Sequence, residues 1–177
     1  MISPFLEKMN KEGLLINKGN ALDLGCGKGL QAAFLAGLGF IVDAVDIRPS
    51  VLSVENINIT EADIREYSIT EGKYSVIIAN NVLPFLPIKK DAEMVIERMI
   101  KGLTPGGYAY FTLFGPKDGW AADPKMSFWE FEEAKAFIKN FDIQLYHEST
   151  EEGYGQKMNG EIKYWNIHKF LYKKGFL

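Results

Sequence analysis

Three carboxylates, Asp23, Asp46 and Asp63, stand in or just after short apolar runs, and three glycines crowd behind the first of them in "LDLGCGKGL". Carboxylates near the carboxyl ends of strands can take hydroxyl or ammonium donors, and a backbone stripped of side chains can lie flush against a ligand. Three ligand chemistries use a strand, a glycine loop and a helix in that order. A nucleoside triphosphate calls for G-x-x-x-x-G-K-[ST]. Here Lys28 is followed by Gly29, with no Ser or Thr placed to hold magnesium, and that chemistry is set aside. A dinucleotide such as NAD calls for G-x-G-x-x-G. Gly25 and Gly27 match it, but Leu30 stands where the third glycine belongs.

The third chemistry is that of S-adenosylmethionine, which carries a ribose diol, an adenine, a sulfonium cation and an ammonium, and no phosphate. Its site needs carboxylates and bare backbone more than lysines. Asp23 is placed to take the ammonium, directly or through water, and Gly25 and Gly27 to let the main chain approach, with Gly29 completing the loop. Cys26 sits within the loop and reads as a small filler, since thiolate activation needs a basic neighbour and only Lys28 is near. Asp46, about 20 residues beyond the glycines, can accept both ribose hydroxyls. Ile47 can lie on the adenine face, and Asp63 can accept from the adenine amino group with the Ile64 N–H beside it. Asn80 and Asn81 end a strand close to where the transferable methyl would sit, and Asn80 is also expected to contact the cofactor.

For the acceptor side the residues are less selective. Asn80, Asn81 and His147 are the catalytic candidates, while His168 reads as a core histidine with its ring nitrogens satisfied. With two histidines and one cysteine in the chain, no metal site is expected. The Asn-Asn pair is followed by "VLPF" rather than Pro-Pro-aromatic, so the clamp for a planar amino nitrogen is missing. Phe85, Phe114, Trp120, Phe128, Trp129 and Trp165 are candidates to wall an apolar substrate cavity, against a plain packing role.

The elements that must position these groups alternate between strand-like and helix-like periods, which predicts a doubly wound α/β sheet with helices on both faces. Strands are expected over 21–24, in "FIVDAVDI", "INITEADI", "KYSVIIAN" and "YAYFTLF", then in "FDIQLYHE" and "IKYWNIHKFLYKK". A dozen residues without helical period between the last two imply an antiparallel hairpin closing a seven-stranded, otherwise parallel sheet. Helices are expected in "LQAAFLAGL" on Leu30, Phe34 and Leu38, after Pro49 on Val51, Leu52 and Ile57, and from 87 to 103 on Ala92, Val95, Ile96, Met99, Ile100 and Leu103. Ser127-x-x-Glu130 has capping-box spacing for a helix through Phe128, Phe131, Ala134 and Ile138. "TPGG" suits a type II turn with Gly106 at positive φ. Residues 1–18 read as an amphipathic segment, either a lid over the cavity or a packed edge helix.

Composition limits the partners. The chain has 177 residues, enough for one domain with its own core. A net charge of −3 offers no broad field toward nucleic acid or an anionic membrane. The N-terminus has charges and a proline where a signal peptide needs an apolar core, and no run reaches the length of a membrane span. A cytoplasmic protein, monomer or homodimer, acting on a small molecule is expected.

"LDLGCGKG", the acidic strand end in "VDAVDI", "EADI", "YSVIIANNVL" and "LTPGGY" follow one another as in class I S-adenosylmethionine-dependent methyltransferases, which the chain resembles from about 21 to 174. Within them, "YSVIIANNVLPFL" with "TPGGY" and the long last strand look most like the tellurite-resistance methyltransferase group. That resemblance implies S-adenosylmethionine as cofactor and a soft acceptor, a thiol or a chalcogen oxyanion such as tellurite. Members of the group carry Glu-Leu-His-Arg before the last strand, linked to oxyanion handling; here the stretch reads "EEGYGQKMNG". Two other functions fit the same residues: a non-catalytic module that binds or senses the cofactor, and an NAD-dependent oxidoreductase.

Overall fold

Leu22 and Leu24 turn to one side of the first strand, β1 (Asn20–Leu24), and Ala21 to the other, so that strand must be covered on both faces. The computed structural model, which describes residues 2–51 and 53–176, shows how. A seven-stranded sheet runs in the order β3 (Ile57–Glu61), β2 (Ile41–Asp46), β1, β4 (Tyr74–Ala79), β5 (Leu103–Phe114), β7 (Ile162–Lys174), β6 (Ile143–Gln156). Pairing is parallel from β3 to β5 and antiparallel between β5 and β7 and between β7 and β6. Helices α1 (Pro4–Lys11) and α2 (Leu30–Gly37) bury Phe5, Leu6, Met9, Ala32 and Leu35 on one face. Helices α3 (Lys89–Gly102) and α4 (Phe131–Ile138) cover the other, α3 through the expected stripe of Ala92, Val95, Ile96, Met99 and Ile100. None of the described helices is long and apolar enough to cross a membrane.

Because β1 is flanked by β2 on one side and β4 on the other, the strand order reverses beside it. Open α/β sheets bind ligands at such a reversal, outside the carboxyl ends of the strands. There lie the glycine loop, Asp46, Asp63 and the two asparagines.

Four local expectations are corrected by tertiary contacts. No helix follows Pro49 among the described residues of 47–56, and Leu52 lies outside them. The segment is tied to the glycine loop instead: Ser50 N–H donates to the Gly27 carbonyl at 2.9 Å, and Ile57 is taken into β3. Helix α2 buries Ala32 and Leu35, whereas Leu30 is exposed. The capping box forms one turn later than its sequence spacing suggested, between Glu130 and Glu133. Residues before it stay extended because Trp129 N–H donates to the Phe114 carbonyl at 2.8 Å and Phe128 bridges to Phe114. Finally, β6 continues to Gln156, which leaves only residues 157–161 to turn the hairpin. Its outer half is polar and mostly exposed, so it carries no apolar alternation; β7 supplies the template that extends it.

Candidate functional site

Three cavities meet at Asn81, which follows β4. Asn81 has φ of 54°, a left-handed backbone that asparagine accepts more readily than most side chains. Thr112 on β5 holds it there: the Asn81 N–H donates to the Thr112 hydroxyl at 2.7 Å, and that hydroxyl donates to Asn81 Oδ1 at 3.0 Å. Thr112 is buried, so the pair is a fixed post between the cavities.

The first cavity, a cleft of about 450 Å³, is lined by Gly25, Asp46, Ile47, Asp63, Ile64 and Val82 among others. Asp46 is oriented by two backbone donors, Gly27 N–H at 2.9 Å to Oδ2 and Arg48 N–H at 2.8 Å to Oδ1. Each oxygen keeps a lone pair for a further donor. Ile47 is 61% exposed within this cleft, an apolar face with no protein cover. Gly25 and Gly27 answer different needs. A Cβ at Gly25 would come within 2.4 Å of the Val82 side chain, so this glycine lets the loop close against the segment after β4. A Cβ at Gly27 would meet nothing within 4 Å; with φ of 50°, it keeps open space beside the Asp46 carboxylate.

Asp23 lies beneath the loop, almost wholly buried, and its Oδ2 has no hydrogen-bond partner. Burial pushes its carboxyl up to about 7, against the pull of the Ala32 N–H, and the Asp46 charge adds to the rise. A buried carboxylate with an orphaned oxygen is suited to a cation. Cys26 is buried in the core cluster on the α2 face; burial and the Asp23 and Asp46 charges push its thiol up to about 12, which keeps it protonated. Asp63 is at the rim, with Ile64 buried beside it, but its carboxylate is clasped by Arg65, whose Nη2 is 2.6 Å away. That hydrogen bond holds Asp63 below the usual carboxylate range.

The second cavity, about 400 Å³, is lined by Ser3, Asn80, Asn81, Tyr110, Thr112 and Glu151 among others. Ile2, Ser3 and Pro4 form part of its wall, while α1 behind them is packed down with Phe5 stacked on Tyr110 at 4.7 Å between centroids. The third, about 350 Å³, has walls of Phe85, Phe114, Trp120 and Trp165. Of the other aromatic candidates, Trp129 is buried in the main core and Phe128 packs against Phe114 and its neighbours. His147 stands outside all three cavities, its ring 5.0 Å from that of Phe5. His168 is buried between the Trp129 carbonyl and the Thr150 hydroxyl, each at 2.9 Å, and burial lowers its pKa.

One functional-looking cluster carries no local sequence signal. Lys163 on β7 is buried, with its ammonium 3.9 Å from the Trp165 ring centroid and 4.1 Å from that of Trp120, paired with the buried Asp118. Lys163 and Asp118 are 45 residues apart in the chain, so only the β5–β7 pairing reveals the cluster. Among the described residues, no cluster of His, Cys, Asp and Glu could hold a metal ion.

The site therefore fits S-adenosylmethionine by its own geometry: an orphaned buried carboxylate, an open cradle at Gly27, a backbone-oriented Asp46 and an exposed Ile47. A family model described as "Tellurite resistance protein TehB" matches residues 8–166. Among curated proteins, a ubiquinone biosynthesis O-methyltransferase of Burkholderia orbicola (strain MC0-3) is 29% identical over 102 residues. That match covers 52% of this chain and 43% of the relative, so the chain spans less than half the length of that relative. TehB from Haemophilus influenzae has a similar structure, with TM-score 0.73 and 20% identity over 95% of this chain and 62% of that one. A SAM-dependent methyltransferase from Methanosarcina mazei superposes with TM-score 0.75 at 15% identity, covering 99% of both chains. The N-methyltransferase NodS from Bradyrhizobium japonicum WM9, in complex with S-adenosyl-L-homocysteine, superposes with TM-score 0.70 at 18% identity over 96% of this chain and 85% of that one.

Proposed function

Because this chain belongs to the tellurite resistance protein TehB family, we propose that it transfers a methyl group from S-adenosylmethionine to a soft nucleophile on a small molecule. The observation that carries the reading is the Asp46 carboxylate, fixed by the Gly27 N–H, beside an open cradle, together with the buried Asp23, whose Oδ2 has no partner. Asp46 holds the ribose diol, Ile47 covers the adenine, and Asp23 takes the ammonium. Asp63 keeps Arg65 at the rim, and the Ile64 N–H serves the adenine edge. The donor supplies an already activated methyl on a sulfonium. What the protein adds is orientation and exclusion of water, which can lower a barrier by on the order of 7–11 kcal/mol. Asn81, held by Thr112, separates the donor cleft from the two acceptor-side cavities and sets the angle of approach.

Asp46→Ala is expected to weaken binding of S-adenosylhomocysteine by more than tenfold, read by titration calorimetry, because two ribose hydroxyls lose an anionic acceptor. An unchanged dissociation constant would mean the ribose lies elsewhere. A thermal-shift series with S-adenosylmethionine, S-adenosylhomocysteine and NAD separates the rival readings. Stabilisation by NAD alone would make the protein a dinucleotide binder. Cofactor binding without methyl transfer to thiol, oxyanion or amine acceptors would make it a binding module.

A further inference from the structure

Building on the methyltransferase reading, we infer that the acceptor is an arene thiol, with its ring in the tryptophan-walled cavity and its sulfur presented at Asn81. The cavity of about 350 Å³ is at the small end of the range for ligand pockets and suits one aromatic ring with modest substituents. Phe85, Phe114, Trp120 and Trp165 form its walls, with Trp120 and Trp165 centroids 5.5 Å apart and their planes at 70°. Such edge-on surfaces favour a flat ring over an inorganic oxyanion, for which Lys157, the one cation among the described residues lining the cavity, is already paired with Glu161. The walls are prearranged: the Lys163 ammonium sits against both tryptophans and is anchored by Asp118, which also accepts the Trp120 backbone N–H at 3.0 Å. Met158, 92% exposed on the hairpin loop, also lines the cavity. Thioether and aromatic ring attract one another, so this side chain can close over a bound arene. Asn81 and Phe85 line both this cavity and the donor cleft, so the two lie side by side across these residues.

The nucleophile follows from the titratable groups near Asn81. Burial pushes the Tyr110 phenol up to about 12, so it stays protonated and takes up no proton. Glu151 is paired with Lys169, and Lys157 with Glu161. Asp46 accepts from two backbone N–H groups and Asp63 is clasped by Arg65. Each of these carboxylates is engaged and so a poorer base, which favours an acceptor that ionises in water before it docks. A thiol does so far more readily than a phenol, with reference values of about 8.5 against about 10, and a ring attached to sulfur eases ionisation further. The thiol proton goes to solvent. The thiolate lone pair then forms a carbon–sulfur bond to the methyl group while the old methyl–sulfur bond breaks, its electron pair cancelling the positive charge on the donor. The products are an aryl methyl thioether and S-adenosylhomocysteine, and no oxidant or reductant enters.

The test uses the full chain with thiophenol, phenol and sodium tellurite as probes. Tryptophan fluorescence is titrated with thiophenol in the presence of S-adenosylhomocysteine, and methyl transfer is followed by S-adenosylhomocysteine formation. Thiophenol is expected to change the fluorescence saturably and to be methylated at least tenfold faster than phenol or tellurite. Trp120→Ala should raise the KM for thiophenol at least tenfold. Met158→Asp, at a position too exposed to disturb folding, should do the same by placing a carboxylate against the thiolate. Both variants should keep their affinity for S-adenosylhomocysteine. Saturable turnover of tellurite with no thiophenol signal, equal rates with phenol, or unchanged KM in both variants would overturn the inference while leaving the methyltransferase reading intact. Failure of the wild-type chain to bind S-adenosylhomocysteine would overturn both.

Discussion

Asp118→Ala is expected to lower the free energy of unfolding by about 3–5 kcal/mol, the usual cost of removing one partner from a buried ion pair. Asp118 is buried and accepts from Lys163, from Trp120 N–H at 3.0 Å and from Asn166 N–H at 3.0 Å. Its loss strands a buried ammonium between two indoles and leaves two backbone donors unpaired. Burial already holds the Lys163 pKa below its ordinary value although Asp118 pulls it up, so the variant should push Lys163 toward the neutral form. Adding Lys163→Met should recover part of the loss, because the methionine fills the same space without a charge. Urea unfolding followed by circular dichroism reads both effects. A loss under about 1 kcal/mol, typical of exposed pairs, would show that the pair does not hold the tryptophan wall.

Asp23→Asn is expected to act in opposite directions on the empty and the loaded protein. The Asp23 carboxyl has its pKa raised by burial from 3.8 to about 7. For a carboxyl raised on folding, the native state holds the proton more tightly than the unfolded chain. Its stability contribution is therefore present below pH 3.8 and is lost as pH rises to about 7. Across that window the ligand-free protein gives up roughly 4 kcal/mol by this linkage, as an order of magnitude. The amide that replaces the carboxyl cannot ionise, so the variant should be more stable than the wild type above pH 7 and should lose that part of the pH slope. Its affinity for S-adenosylhomocysteine should fall at least tenfold, since the ammonium loses its counter-charge. Thermal unfolding from pH 4 to 8, with and without S-adenosylhomocysteine, tests both arms. Equal stability at pH 8 with unaltered ligand affinity would mean that Asp23 is neutral and uninvolved.

These expectations bear on how the cofactor and acceptor sides of the site differ. The proposed cofactor side is built on strand ends and backbone donors, such as the Gly27 N–H that orients Asp46. The proposed acceptor cavity is walled by aromatic side chains, two of which lie against the buried Lys163 ammonium. Changes at Asp46 or Asp23 should therefore read out in donor affinity, and changes at Trp120 or Met158 in the KM for the acceptor.

What the chain's own pattern determined is local or repeats at short range. The glycine cluster, the acidic end of β2, the apolar stripe of α3 and the switch from helical to strand period are visible because each depends on neighbours a few residues away. Those features also put Asp23, Asp46 and Asn81 at or just beyond the carboxyl ends of strands, while the order of the strands, and with it the reversal beside β1, belongs to the tertiary structure. The tertiary structure alone decided the rest. A polar segment became the outer half of β6 because β7 offered hydrogen-bond partners that no local propensity records. The segment after Pro49 stayed irregular because Ser50 is tied to Gly27. His147 packs against Phe5 of α1 and lines none of the three cavities, a contact between residues far apart in the chain. The cage of Trp120, Trp165, Lys163 and Asp118 joins its acid to its lysine across 45 positions, and a short sequence window sees only an acid, a lysine and two tryptophans. Contacts between distant residues are created by folding, so the chemistry that depends on them becomes legible only once the strands are paired.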